Sequence, residues 1–337
     1  MHNSAAVLIA PSSPSLDDLA LLAKAAGDAL RLRILRALAN DSFGVLELTQ
    51  VFATTQSGMS HHLKVLAQAG LVATRREGNA IFYRRALPQT DSPLAAAHSG
   101  LLQSLDSQTL EPELCAKIAQ IHAQRAAISR DYFARVADKF QAQQDLIASL
   151  PQYHDSVLSL LDSLNLPAEA HAIEVGPGDG AFLPALARRF ARVSALDNSA
   201  AMLEQARQHC AQAGLNNVSL QLADALSDPC EPADCVVLNM VLHHLPAPAE
   251  ALQQLSRLLK PGASLLLTEL CPHDQAWARD ACGDLWLGFE QDDLAQWAAH
   301  AGLRNADSVY VGLRNGFQLQ IRHFQRPPAG DASIHRP

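Results

Sequence analysis

The sequence predicts two domains of different class, a mainly α domain with a small β-hairpin and then an α/β domain on a parallel sheet. Three observations support this prediction. A series of amphipathic helices followed by a basic hairpin occupies the first ninety residues. A short apolar run, a turn with three alternate glycines and a helical segment follow at 171–190. Further apolar runs then alternate with helical patterns, as in a parallel sheet covered by helices on both faces.

Composition places the chain among ordinary globular proteins. Its 337 residues are 48% apolar and 18% charged, which is enough for two cores of common size. No apolar run approaches about 18 residues, so no membrane-spanning helix is expected. The apolar stretch 5–10 is short and lacks a basic flank, unlike a signal peptide. The six cysteines form no C-x-x-C pair, which favours a cytoplasmic protein with reduced thiols.

The charges are unevenly distributed. The net charge of the chain is −8, yet residues 1–90 hold nine Lys and Arg against six Asp and Glu. A local basic cluster on an acidic chain suggests a surface for a polyanion, although an ordinary solvated face would carry the same charges. The order of helices and strands decides between these interpretations.

The first ninety residues combine helices with one hairpin. Helices are predicted over 17–26, 30–39, 46–52 and 56–69, and strands over 71–76 and 80–84. On the fourth helix Met59, Leu63 and Leu66 share the inner face. This order predicts a winged helix-turn-helix, which places a helix in the major groove of DNA and grips phosphate with the hairpin. The residues predicted to contact DNA are Gln56, Ser57, Ser60, His61, Lys64, Arg75, Arg76 and Arg84.

This segment resembles the arsenic-repressor (ArsR) family of winged-helix regulators over about residues 16–100. The motifs that carry the resemblance lie at 28–35, 60–66, 69–72 and 76–80. It implies a homodimer on an inverted-repeat operator, with helices near 17–26 and 93–105 forming the dimer and half-sites about 34 Å apart. Metal-sensing members carry cysteines on the helix that holds 45–48 here, whereas no cysteine precedes Cys115. A thiolate site at that helix is therefore excluded, and no metal site is predicted.

The α/β domain is organised around the glycine turn. Glycine reaches φ > 0 and has no side chain, so the backbone of such a turn can pass close to a nucleotide-like ligand. Gly176, Gly178 and Gly180 are spaced as G-x-G-x-G. This spacing disfavours the G-x-G-x-x-G pyrophosphate cradle of dehydrogenases, and the missing Gly-Lys-Ser/Thr excludes a P-loop.

Polar residues follow the predicted strands of this domain. Strands are predicted over 171–175, 192–196, 218–222, 235–238 and 264–267, with helices over 181–190, 199–213 and 248–259. Asp197, Asp224 and Asn239 stand at the ends of three of these strands. Because the carboxyl ends of parallel strands meet at one edge, these side chains are expected to surround a ligand there. Asp197 lies about 20 residues past the glycines, where a carboxylate accepts ribose hydroxyls.

The domain resembles class I S-adenosylmethionine-dependent methyltransferases over about residues 150–325. The small-molecule branch that includes the quinone-biosynthesis C-methyltransferases is the nearest likeness, and its motifs match 174–180, Asp197, 223–225, 239–245 and 259–262. The resemblance implies a Rossmann-like seven-stranded sheet, with 308–311 as sixth strand and 317–324 as antiparallel seventh. The cofactor implied is S-adenosyl-L-methionine or S-adenosyl-L-homocysteine, with the glycines under its methionine part, Asp197 at the ribose and Asp224 at the adenine amine. The predicted cofactor-binding residues are Glu174, Gly176, Gly178, Gly180, Asp197, Asn198, Met202, Asp224, Ala225 and Asn239.

Two histidines are the candidate catalytic residues. His243 and His244 could deprotonate a phenol, a thiol or an acidic carbon, although His243 could equally serve a structural role. Methyl transfer depends more on alignment and exclusion of water than on a base. An acceptor pocket is expected in the insert before the sixth strand, at Asp280, Trp286, Phe289 and Glu290. Arsenite methylation is disfavoured because the cysteines do not converge.

The predicted domains are a disordered terminus 1–15, a winged helix-turn-helix 16–105, a connecting helical segment 106–150, a methyltransferase domain 151–326 and a disordered tail 327–337. In the connecting segment, one helical pattern extends over 111–150 as a lid over the cofactor or as a spacer. Its aromatic residues Tyr132, Phe133 and Phe140 either cap a ligand or pack.

Two functions remain open from the sequence. One is a DNA-binding transcriptional regulator, most simply a repressor, whose methyltransferase domain senses the cofactor or its product. The other is a small-molecule methyltransferase that regulates its own gene. The partners expected are double-stranded DNA, a second copy of the chain and a small methyl acceptor, without a membrane.

Overall fold

The structure is a computed structural model, which describes residues 14–77, 80–88, 92–136 and 139–330. The chain forms two compact units that divide between Ile121 and His122. The predicted connecting segment is therefore shared between them. Leu114 and Ile118 pack against the core of the first unit, whereas Ile147 belongs to the core of the second. Of the segments predicted to be disordered, 1–15 and 327–337, residues 1–13 and 331–337 lie outside the described residues.

The first unit is a helical core with a small sheet. Its elements are α1 (Leu16–Ala26), α2 (Ala29–Ala37), β1 (Phe43–Gly44), α3 (Val45–Phe52), α4 (Gln56–Gln68), β2 (Val72–Glu77), β3 (Ala80–Arg85), α5 (Ala95–Asp106) and the start of α6 (Pro112–Val136). Three helices begin at side-chain caps, with Ser15, Asp28 and Thr55 each accepting a backbone N–H of the first turn. These caps explain why the helices begin where the sequence predicts.

Helix α4 presents the predicted inner face. Met59, Leu63 and Leu66 are fully buried, and Gly70 after the helix has φ 66°, a conformation that favours glycine. The hairpin β2–β3 is also confirmed. Strand β1 was not predicted, since two residues are too short to show alternation; it pairs with β3 through Phe43 opposite Tyr83.

The second unit alternates strands and helices. Its elements after α6 are α7 (Phe140–Gln144), α8 (His154–Ser163), β4 (His171–Val175), α9 (Leu183–Ala187), β5 (Arg192–Asp197), α10 (Ala200–Gln212), β6 (Val218–Leu222), β7 (Ala233–Asn239), α11 (Pro248–Arg257), β8 (Leu259–Leu270), α12 (Trp277–Cys282), α13 (Gln291–His300), β9 (Arg304–Gly312) and β10 (Gln318–Gln325). Short 3-10 helices lie at Leu150–Gln152 and Leu242–His244. This order confirms the predicted alternation.

The sheet has the order β6-β5-β4-β7-β8-β10-β9. The neighbouring strands from β6 to β8 are parallel, and β10 is antiparallel to both β8 and β9. The Rossmann-like seven-stranded methyltransferase fold is therefore confirmed. From β4 the chain continues outward to β5 and β6 and then crosses to β7 on the other side of β4. Ligands bind at such a reversal of strand order.

Two predicted helices differ in length. The helix expected over 181–190 is limited to α9, because Asp179 accepts the N–H of Ala181 and holds the preceding residues in a turn. The helix expected over 111–150 is interrupted, since α6 ends at Val136 and the shorter α7 follows. In the described part of the chain, no helix is long and apolar enough to cross a membrane.

Candidate functional site

A cavity opens at the carboxyl edge of the sheet in the second unit. It measures about 1020 Å³ with its mouth included. Strands β4, β5, β6 and β7 contribute the residues that follow their last positions, as the sequence predicts for a parallel sheet. Of the predicted cofactor-binding residues, the cavity is lined by Glu174, Gly176, Gly178, Asp197, Asn198, Met202, Asp224, Ala225 and Asn239.

The glycine turn leaves no room for side chains at two positions. Gly176 has φ 66°, and a Cβ there would lie 2.7 Å from Cγ2 of Val241. Gly178 has φ 59°, and its Cβ would lie 2.9 Å from Cε1 of Phe140. Gly180 differs, because its Cβ would meet Cα of Ala206 at 3.0 Å and it is outside the cavity lining. Its role in the structure is close packing of the turn against α10.

Two buried polar atoms at the cavity lack a hydrogen bond of good geometry. They are Oε2 of Glu174 and Nδ2 of Asn239, whose side chains interact only weakly with each other within the described residues. The amide of Asn239 is oriented because its Oδ1 accepts from the hydroxyl of Thr268 at 2.8 Å. Burial raises the pKa of Glu174 to about 8. Since unpaired buried polar atoms are costly, this arrangement fits a ligand that supplies hydrogen-bonding groups here.

Two further carboxylates line the outer part of the cavity. Asp197 ends β5, and its Oδ1 accepts the N–H of Ser199 at 2.8 Å. Burial nevertheless raises the pKa of Asp197 to about 6. Asp224 follows β6 and is half-buried, with its Oδ1 accepting the N–H of Leu226 at 2.9 Å. Each carboxylate is thus oriented by the backbone N–H group of the residue two positions later in the chain. Its second oxygen can then bind a ligand.

The two predicted catalytic histidines have different environments. His243 is buried between Glu269 and Asp284, and its Nδ1 lies 2.8 Å from Oε2 of Glu269. Burial alone would lower the pKa of His243, but these two carboxylates raise it to about 9. His243 is outside the lining of the main cavity. It lines an adjoining smaller cavity of about 340 Å³ with its opening included, which shares Phe140, Gln144, Met240 and His244 with the main cavity and is called the inner lobe below. Its geometry therefore favours the structural role over direct contact with a methyl acceptor.

His244 lines both the main cavity and the inner lobe. Its Nδ1 lies 3.1 Å from the carbonyl oxygen of Gly283, which only accepts, so this nitrogen carries the proton. Burial and the charge on His243 hold the pKa of His244 well below its usual value. The imidazole of His244 is therefore neutral, and its Nε2 can accept a hydrogen bond or a proton.

An aromatic pair from α6 and α7 covers the cavity. Phe133 packs edge-on against His244 at 4.8 Å between ring centroids and lies 6.1 Å from Phe140. Both phenylalanines line the cavity, whereas Tyr132 is buried and donates its hydroxyl to the carbonyl of Ala281. The predicted segment is therefore a cover at Phe133 and Phe140 and a packing element at Tyr132.

Some residues that line the cavity carry no sequence motif, and others that were expected at a pocket lie in the core. Ser129, Gln144 and Tyr153 line the cavity from helical segments that carry no motif, so only the packing of the chain identifies them. Trp286 and Phe289, expected in an acceptor pocket, are core residues. Trp286 donates its indole N–H to the carbonyl of Leu245 at 2.8 Å, and Phe289 is fully buried. Asp280 and Glu290 are exposed and, like Trp286 and Phe289, are not among the residues that line this cavity.

The first unit presents the predicted polar face of α4 to solvent. The exposed residues are Gln56, Ser57, Ser60, His61 and Lys64, and on β2 Arg76 is exposed as well. Arg75 and Arg84 are half-buried and have contacts within the protein. The arrangement offers hydroxyl, imidazole and ammonium groups on one helix face beside a basic hairpin.

Known proteins share both units. A family model for a methyltransferase domain matches residues 173–267, and a model for a helix-turn-helix domain matches residues 27–75. The chain carries both domains.

The relatives of this chain include enzymes of quinone biosynthesis. A ubiquinone biosynthesis O-methyltransferase of Coxiella burnetii is 28% identical over 166 residues, which cover 44% of this chain and 71% of that protein. A ubiquinone biosynthesis O-methyltransferase of Xanthomonas axonopodis pv. citri is 27% identical over 214 residues, which cover 57% of this chain and 88% of that protein.

A solved structure shares the fold of the methyltransferase domain. Magnesium protoporphyrin IX methyltransferase (ChlM) from Synechocystis PCC 6803, crystallised with bound SAH, superposes with a TM-score of 0.50 at 21% identity. The match covers 60% of this chain and 99% of that one. The second unit of this chain therefore carries a methyltransferase domain with the fold of that enzyme.

Proposed function

We propose that this protein is a DNA-binding transcriptional regulator whose methyltransferase domain senses S-adenosylmethionine or S-adenosylhomocysteine. One observation carries the proposal. Helix α6 contributes to both units, with Ile121 in the core of the first and with Ser129 and Phe133 lining the cavity of the second. A ligand that orders the cavity end of this helix can thereby change the energy of the DNA-binding unit.

The cavity supplies a place for each part of the cofactor. Gly176 and Gly178 pass under the methionine part, next to the unpaired atoms of Glu174 and Asn239. Asp197 holds the ribose hydroxyls, and Asp224 faces the adenine amine. The bound cofactor supplies an electrophilic methyl group, and the protein's part is to orient it and to exclude water with Phe133 and Phe140.

Removal of the Asp197 carboxylate is expected to abolish cofactor binding while the protein stays folded. With a pKa of about 6, the ionised form accepts the ribose hydroxyls, so wild-type affinity for S-adenosylhomocysteine should fall about tenfold for each pH unit below 6. Calorimetry on the wild type across this pH range and on Asp197→Ala at neutral pH tests these two statements. Asp155→Ala, at a fully solvated carboxylate, is the control, and binding retained by Asp197→Ala would contradict the assignment.

On the DNA side, we propose a homodimer of the ArsR type on an inverted repeat. Helix α4 enters the major groove, where Gln56, Ser57, Ser60 and His61 are positioned for base edges or phosphate. Lys64 and the hairpin arginines contact phosphate groups. Such contacts position the protein on the duplex and do not read the bases. The exposure of this α4 face in the chain supports the proposal.

Removal of one phosphate contact is expected to reduce the salt dependence of DNA binding. In Lys64→Ala and in Arg76→Ala, the slope of log K against log salt should become shallower by about 0.9 each, because one fewer counterion is released. Fluorescence anisotropy over a salt series measures this slope. Arg207→Ala on α10 removes the same charge from an exposed surface helix and should leave the slope unchanged. Unchanged slopes in both test variants would reject this DNA surface.

The coupling between the two domains is the test of the proposed function. Duplexes selected from a random library with the full-length protein supply the DNA probe. We expect S-adenosylmethionine or S-adenosylhomocysteine to change the affinity for that DNA by 5- to 150-fold, and the DNA to change ligand affinity by the same factor. Asp197→Ala should bind DNA yet show no ligand effect. Equal DNA affinity with either ligand or none would reject the sensor.

A methyltransferase with a secondary regulatory role is the second candidate. It is favoured by the position of His244, whose neutral imidazole lies in the cavity beside Phe133 and could accept a proton from a methyl acceptor. Transfer of labelled methyl from the cofactor into a broad extract of small molecules tests it. Absence of any labelled product would leave the sensor as the function.

A further inference from the structure

A group of possible metal ligands lies at the inner lobe of the cavity. His243, His244 and Asp284 each offer one donor atom, and these atoms all lie within 4.8 Å of one another. Both histidines and Asp284 line the inner lobe, and His244 also lines the main cavity. His243 and Asp284 are almost completely buried, unlike the acidic surface clusters that commonly occur without an ion.

Both imidazoles are oriented in the way that metal-binding histidines are. Nδ1 of His243 donates to Oε2 of Glu269 at 2.8 Å, because a carboxylate there only accepts. Glu269 is itself fixed by the backbone N–H groups of His243 and Leu270. Nδ1 of His244 donates to the carbonyl of Gly283 at 3.1 Å. A histidine ligand almost always uses its second nitrogen in this manner, and the metal binds Nε2, where on His243 it replaces a proton that is released to solvent.

The third donor is close enough to share an ion. Oδ1 of Asp284 lies 3.8 Å from Nε2 of His243, beyond a hydrogen bond. Ligand atoms at about 2.0–2.2 Å from one ion lie roughly 3–4 Å from each other. The space between these atoms therefore suits a small cation.

The loop that carries Asp284 is held in position by contacts with Tyr132. Gly283 has φ 75°, and a Cβ there would lie 2.5 Å from Cδ1 of Tyr132. The hydroxyl of Tyr132 in turn donates to the carbonyl of Ala281 at 2.6 Å. These contacts fix both the carbonyl that orients His244 and the carboxylate that follows it.

We propose that His243, His244 and Asp284 bind one divalent transition metal ion, such as Zn²⁺, Fe²⁺ or Co²⁺, at the inner end of the cavity. Two imidazole nitrogens and one carboxylate suit these ions, whereas Mg²⁺ and Ca²⁺ prefer oxygen donors. The inner lobe, which Tyr132, Gln143 and Cys282 also line, leaves room for a further ligand on the ion. No sequence motif indicates this site, because Asp284 is supplied by a distant loop. With the ion bound, His244 is a ligand and not a base.

Cobalt titration of the full-length protein tests the proposal without DNA or a methyl acceptor. The untagged protein is treated with a chelator, dialysed and titrated with Co²⁺ by visible absorption, then with Zn²⁺ by calorimetry. We expect one ion per chain. Asp284→Asn and His243→Gln should each weaken binding at least 100-fold, and Glu269→Gln, which only orients a ligand, by about 10- to 100-fold.

Matched substitutions on α13 provide the controls. Asp292→Asn and His300→Gln alter exposed residues and should bind Co²⁺ like the wild type. Affinity for S-adenosylhomocysteine shows that each variant is folded. Absence of stoichiometric Co²⁺ or Zn²⁺ binding would overturn the proposal and leave the three residues as a closed ion-pair cluster. Binding that survives in both Asp284→Asn and His243→Gln would overturn it as well, because the ion would lie elsewhere.

Discussion

Alanine in place of Gly176 is expected to lower the affinity for S-adenosylhomocysteine about 100-fold or more. The new Cβ would lie 2.7 Å from Cγ2 of Val241, and a φ of 66° disfavours any residue with a side chain. The left-handed conformation alone costs about 1–2 kcal/mol, and relief of the contact must move the turn or Val241, both of which line the cavity. Calorimetry of Gly176→Ala with S-adenosylhomocysteine measures the loss.

The control for this prediction is a glycine that has the same backbone conformation but has space around it for a Cβ. Gly214 has φ 65°, and a Cβ there would meet no atom within 4 Å. Gly214→Ala should therefore lose a similar amount of stability and keep its cofactor affinity. Equal affinity in the two variants would show that the turn at Gly176 does not determine cofactor binding.

Glutamine in place of Glu174 is expected to make the ligand-free methyltransferase unit more stable at high pH. Burial raises the pKa of Glu174 from 4.5 to about 8, so the folded state holds a proton that the unfolded state releases. The wild type consequently loses stability as the pH rises from about 4.5 to 8, whereas glutamine has no charge to bury. The difference is at most roughly 5 kcal/mol above pH 8 and vanishes below pH 4.5.

Thermal unfolding at a series of pH values measures this difference. The melting temperature of Glu174→Gln should exceed that of the wild type by up to roughly 10–20 °C at pH 9 and should match it near pH 4. Glu169→Gln, at an exposed position, should follow the wild type throughout. A constant offset between Glu174→Gln and the wild type would show that Glu174 keeps its charge in the folded protein. Calorimetry should show weaker cofactor binding in the same variant, since Glu174 lines the cavity.

Glu174 was placed in the site by the methyltransferase resemblance, and Gly176 also by the pattern of a strand, a glycine turn and a helix. Asp197 and Asn239 are identified by their positions at strand ends, because the carboxyl ends of parallel strands must meet at one edge. The pattern does not separate the glycines by role. Gly180 has the same spacing as its neighbours, yet it packs against Ala206, and only the position of α10 reveals this.

The residues that cover the cavity show a different limit. Phe133 and Tyr132 are adjacent on α6, and nothing in their spacing tells which one faces the cavity. Similarly, Trp286 and Phe289 have the composition of a binding pocket but belong to the core. An apolar side chain satisfies either environment, so the pattern leaves the choice open.

The sequence by itself determined the two fold classes, the antiparallel seventh strand through its resemblance, the inner face of α4 and the polar residues at the strand ends. These follow from periodicity, caps and glycine spacing, which act between residues close in the chain. Only the tertiary structure decided that Oε2 of Glu174 is buried without a hydrogen bond of good geometry, that Glu269 and Asp284 enclose His243, and that α6 serves both units. Such properties depend on which distant side chains pack together, and local spacing carries no record of that packing.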